Sequence, residues 1–89
     1  MELNINKLLN SPIKMKICLF FHKNPSVIDT IRNIAIWINQ SPEAAEKALG
    51  ELVDDKVLLI HLTSSTKAYS YTQDTAITSK IEKLLKTIK

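Results

Sequence analysis

The sequence predicts a mainly α-helical domain that carries one small β-hairpin. Three observations predict it. Two Ser-Pro dipeptides, Ser11-Pro12 and Ser41-Pro42, each open a segment with apolar residues at helical spacing. A β-branched and aliphatic run at 57–62 is answered, after a polar turn, by a second extended run at 68–72. A closing segment then repeats Ile77, Ile81, Leu84, Leu85 and Ile88 along one helical face. At 89 residues the chain is sized for a single domain, residues 1–89, with a core over 12–72 and a last helix over 74–89.

Each element has a local cause. Ser11 offers an oxygen to the free N–H groups of a first turn and Pro12 suits the first helical position, so a first helix runs from there to about Lys23. Ile13, Ile17, Phe20 and Phe21 line one side of it, and Met15, Leu19 and His22 form a stripe on the opposite side; two apolar faces imply two packing partners. Asn24-Pro25 ends the helix, because the residue before proline avoids the helical region. A second helix is expected to start at Ser26, with Asp29 completing a shortened capping box and Val27, Ile28, Ile31, Ile34, Ala35 and Ile38 facing the core. Asn39-Gln40 is a polar break. The third helix follows from Ser41, burying Ala45, Ala48, Leu49, Leu52 and Val53 and stopping at Asp54-Asp55-Lys56. Two strands joined by the polar stretch 63–67 make the hairpin, and Asp74 or Thr75 opens the last helix, whose outer face is rich in lysine. Leu3, Ile5, Leu8 and Leu9 suggest that the first ten residues also pack.

Composition excludes several classes of function. The chain is 45% apolar and 24% charged, with no apolar run near the roughly 20 residues that span a bilayer, so no membrane insertion is expected. No secretory signal is read at the N-terminus, so a cytoplasmic location is expected by default. Cys18 is the only cysteine and is expected to be a small buried hydrophobe. His22 and His61 have no carboxylates or cysteines around them at metal-ligand spacing; each is expected to be a surface residue. There is no glycine-rich phosphate loop and no Ser or Cys with a positioned base, so no cofactor, metal or enzymatic activity is expected. The formal charge of +3 lies wholly in residues 75–89, where four lysines face one glutamate.

The order helix, helix, short turn, helix, hairpin, helix resembles the winged helix-turn-helix regulators of bacteria and archaea, broadly the ArsR and MarR groups. The likeness covers about residues 12–72 and is most specific in IAIWINQSPEAAEKALGELVDDKVLLI, residues 34–60. There an IA-x-x-I segment precedes a polar turn, a Ser-capped helix holding A-L-x-x-L-V, and an acidic turn into a strand. Lys56 stands where the family usually has glycine. The resemblance implies that the third helix enters the major groove of double-stranded DNA while the hairpin lies along the backbone as a wing. Its candidate contacts are Ser41, Pro42, Glu43, Ala44 and Lys47 on the helix and Ser64, Ser65, Thr66 and Lys67 on the wing. The paired cysteines of a thiol metal sensor are absent, so metal sensing is not implied.

The wing suits this role, since hydroxyls and a lysine on an exposed turn are donors to phosphate oxygens. The third helix suits it less. Residues 41–55 carry five carboxylates against the single Lys47, a formal −4 that repels phosphate. Glu43 or Glu46 can read a base by accepting a hydrogen bond from cytosine, whereas the alternative for Glu43 and Lys47 is an i, i+4 surface pair worth about a few tenths of a kcal/mol. Gly50, the only glycine, sits mid-helix at a cost of roughly 1 kcal/mol, either through close approach of another backbone or because the site is exposed.

A homodimer is expected through Met15, Leu19 and His22 of the first helix and Ile77, Ile81, Leu84, Leu85 and Ile88 of the last, unless the last helix folds back on the first within one chain. An alternative function is a winged-helix module that binds protein through the third helix or through Ile36 and Trp37, which lie off the main stripe of the second helix. A third reading, the basic last helix lying on an anionic membrane, lacks a second anchoring signal. No sensor domain is seen, so an effector is not identified.

Overall fold

The computed structural model describes residues 11–87. Its elements, in chain order, are α1 (Pro12–Lys23), β1 (Ile28–Thr30), α2 (Ile31–Ile38), α3 (Pro42–Asp54), β2 (Leu58–Leu62), β3 (Lys67–Tyr71) and α4 (Thr75–Thr87). The segment holding Leu3, Ile5, Leu8 and Leu9, and Ile88 at the other end, lie outside the described residues.

The helix starts follow from their caps. Ser11 Oγ accepts from the Lys14 amide at 3.3 Å, Ser41 Oγ from the Ala44 amide at 3.2 Å, and Pro12 and Pro42 each occupy the first helical turn. Asp74 settles the start of α4, its Oδ1 accepting from the Ala76 amide at 2.9 Å.

The second helix departs from expectation. Ser26 and Asp29 do not cap it; Ile28, Asp29 and Thr30 form a strand that pairs antiparallel with Ser70, Tyr69 and Ala68 of β3. Thr30 is the true cap, its Oγ1 accepting from the Asn33 amide at 3.4 Å, while Asp29 Oδ1 accepts from Thr30 N and Asn33 Nδ2, both at 2.9 Å. The physical reason is the free edge of β3, which gains a ladder when 28–30 extend, and the β-branched Val27-Ile28 pair tolerates this. Ile28 is therefore 62% exposed rather than in the core. The expected hairpin becomes a three-stranded antiparallel sheet in the order β1-β3-β2.

Both α2 and α3 end in the same way. Asn39 (φ 58°) and Lys56 (φ 69°) adopt the left-handed conformation, and behind them Gln40 N donates to Ala35 O at 3.0 Å and Val57 N to Leu52 O at 2.9 Å. Asparagine tolerates that conformation. Lysine does so at a cost, because its Cβ crowds the following carbonyl.

One core binds all layers: Ile17, Cys18 and Phe21 of α1, Ile34 and Ile38 of α2, Ala45, Leu49 and Leu52 of α3, Leu58, Tyr69 and Tyr71 of the sheet, and Ile81 and Leu84 of α4. The Phe21 and Tyr71 rings stack with centroids 6.3 Å apart. Ile81 and Leu84, expected at a dimer interface, are thus covered within the chain where α4 packs on α1. The amphipathic face of α4 has an intrachain partner, which removes the need for another copy to cover these two residues.

Candidate nucleic-acid interface

The first turns of α3 and the end of the hairpin present the residues expected to meet DNA. Ser41, Pro42, Glu43 and Lys47 are exposed, while Ala44 is half-buried against the fold. Ser64, Ser65 and Thr66 are exposed at the tip of the hairpin, and no hydrogen bond from their hydroxyls is formed among the described residues. Lys67 is not in the turn as expected. It opens β3 opposite Leu62, in the ladder pair next to the tip of the wing.

Thr63, which sequence reasoning passed over, builds the tip. Its Oγ1 accepts from the amides of Ser65 (3.3 Å) and Thr66 (3.0 Å), and its own amide donates to Thr66 O at 2.9 Å. The first threonine of T-S-S-T at a turn is a local signal for such bonding. Because Thr63 satisfies the tip's backbone, the three following hydroxyls face solvent.

The acidity of α3 is compensated by other elements. Lys67 Nζ donates to Glu46 Oε2 at 3.4 Å, tying the tip end of the wing to the helix. Lys14 Nζ of α1 meets Glu51 Oε1 at 2.6 Å, with the Lys14 side chain only 9% exposed. Two of the five carboxylates are therefore neutralised by lysines distant in sequence, and no local pattern could have revealed either pairing. Asp54 and Asp55 lie about 20 Å down the helix from Ser41 at about 1.5 Å per residue, beyond a Debye length of about 8 Å at physiological salt. The charge met by an approaching phosphate at the first turns comes from Glu43, Glu46, Lys47 and Lys67, which sum to zero.

Around this face the chemistry is quiet. The Tyr69 hydroxyl is held above the ordinary phenol range by burial, with nearby Lys67 opposing and Glu46 adding to the shift. Gly50 has no atom within 4 Å of where a Cβ would stand, so no close backbone approach explains it. His61 is exposed and shares a 2.8 Å hydrogen bond with Ser70 Oγ; His22 is half-buried, with Nδ1 3.4 Å from the Tyr71 hydroxyl. Among the described residues no three metal-ligating side chains cluster, and no helix is long and apolar enough to cross a membrane.

No family model and no curated protein matches the sequence. Solved structures do share its architecture. A possible transcriptional regulator from Methanosarcina mazei Go1 superposes with a TM-score of 0.69 at 10% identity, over 90% of this chain and 71% of that one. An Archaeoglobus fulgidus protein gives 0.69 at 17% identity, over 97% and 98% of the two chains. The zinc-responsive MarR family member ZitR of Lactococcus lactis gives 0.61 at 21% identity, over 86% of this chain and 57% of its own, so the chain spans little more than half of that protein. At such identities the likeness establishes the fold. The chain is a winged helix-turn-helix domain, with α2 and α3 as the helix-turn-helix and the β2–β3 hairpin as the wing.

Proposed function

We propose that this domain is a DNA-binding transcriptional regulator that contacts duplex DNA through the first turns of α3 and through the wing. In this reading Ser41, Glu43 and Lys47 face the major groove, and Ser64, Ser65, Thr66 and Lys67 face the phosphate backbone. The observation that carries it is the compensation of α3. Lys67 and Lys14 neutralise Glu46 and Glu51, leaving a contact face without the net negative charge that the sequence alone implies. The Methanosarcina mazei neighbour, named as a possible transcriptional regulator, agrees with it.

The regulator acts as a homodimer in this reading. Of the residues expected at the interface, Met15, His22, Ile77 and Leu85 are half-buried on the adjoining helices α1 and α4 and offer surface to a second copy. Such a pair sets two copies of α3 in successive major-groove turns about 34 Å apart. Sedimentation showing monomer alone at high concentration would remove the dimer while leaving the DNA contact standing.

The contact face is tested by following backbone amide resonances as a random-sequence duplex is added. Shifts concentrated at 41–47 and 63–67 are expected; shifts confined to α4, or none, would contradict the assignment.

A further inference from the structure

None of the candidate DNA contacts lines a second surface, a shallow groove of about 430 Å³ between α1 and the end of α2. Its walls include Lys16, Leu19, Phe20 and Lys23 from one helix and Trp37 and Asn39 from the other and the turn beyond it. The spacing i, i+3, i+4, i+7 puts the four α1 residues on one stripe. Leu19, expected from sequence at a dimer interface, faces this groove instead.

The floor is apolar and open. Trp37 is 70% exposed although its ring lies tilted against Phe20 with centroids 5.9 Å apart, and Leu19 is 41% exposed. The charges beside it are of one sign. Lys16 and Lys23 lie two helical turns apart, neither has an ion-pair partner among the described residues, and no carboxylate lines the groove. An apolar strip between two uncompensated cations is the complement of an amphipathic segment with apolar anchors on one face and carboxylates at its edges. A phosphate backbone would use the lysines and leave Leu19, Phe20 and Trp37 unemployed, and a basic segment would be repelled.

We propose that this groove docks a short acidic amphipathic peptide segment of a partner protein, with Trp37 and Leu19 receiving its apolar anchors and Lys16 and Lys23 its carboxylates. The inference is independent of the DNA reading, since it rests on different residues.

Trp37 is the only tryptophan, so its emission reports on this groove alone. The full chain is titrated with a synthetic peptide of Glu, Leu and Phe at helical spacing, with a control peptide carrying Lys for every Glu, and with a random-sequence duplex. A saturable blue shift at micromolar acidic peptide is expected, at least tenfold weaker with the basic peptide. The double variant Lys16→Glu and Lys23→Glu, altered only at exposed positions and checked for an unchanged thermal melt, is expected to lose at least tenfold in affinity. Absence of a saturable shift would overturn the proposal, as would equal binding of the basic peptide or full affinity in the charge-reversed variant. The same blue shift produced by the duplex would overturn it in favour of a nucleic-acid groove.

Discussion

Cys18 has no exposed surface, and burial pushes its thiol up to about 12, with the charge of Lys14 only partly opposing the shift. A thiol that stays protonated is a poor nucleophile, so the side chain serves packing rather than chemistry. The shift also has a consequence for stability. The folded state keeps a proton that the unfolded chain releases near pH 8.5, so the contribution is complete below that pH and is lost as pH climbs towards 12. Tyr69 and Tyr71 act in the same sense at still higher pH, because burial holds both phenols above their ordinary range. The melting temperature should be level between about pH 7 and 8.5 and fall steadily above pH 9. In Cys18→Ala the fall should begin about one pH unit later, where the tyrosines take over. An onset that does not move in the variant, followed by calorimetry across pH, would contradict this account.

At the scale of elements, α3 carries two residues that its own geometry disfavours. Gly50 lies in the helix interior with open space where a Cβ would go and no positive φ, so Gly50→Ala should stabilise the fold by about 0.5–1 kcal/mol. Lys56 stands in the left-handed position that closes the helix, and Lys56→Gly should relieve about 1 kcal/mol. Urea denaturation checks both, and destabilisation by either would show that the exposed side of α3 is constrained by something besides its backbone. The departure at Lys56 is visible in the sequence through the resemblance to winged-helix regulators, which usually have glycine at that place. The helices were legible for the same kind of reason, since Ser11, Ser41 and the apolar stripes act over three or four residues. β1 was not, because three residues show no period and its pairing with β3 is decided some forty positions away. Trp37 could be placed off the main stripe of α2, but its lodging on Phe20 depends on how α1 crosses that helix.

Taken as a whole, the molecule separates its charges in a way that composition hides. The lysine excess lies on α4, where Lys80, Lys83 and Lys86 are exposed and Lys86 pairs with Glu82 at 3.1 Å. The candidate DNA face holds no excess of either sign, and its state depends on Lys14 and Lys67 reaching across from other elements. The candidate contacts themselves were legible as residue types, whereas the pairings that make the face tolerable to phosphate exist only in the folded chain. The proposed role therefore requires that phosphate be engaged. The most direct measurement is fluorescence anisotropy of a labelled random-sequence duplex titrated with the full chain from about 50 to 200 mM salt, a range over which several phosphate contacts cost orders of magnitude in affinity. A DNA-binding regulator should bind at micromolar concentration at low salt, lose affinity steeply across the series, and be weakened by Lys47→Ala and by Lys67→Ala. Absence of binding at about 50 mM salt, or binding indifferent to salt and to both substitutions, would contradict that role.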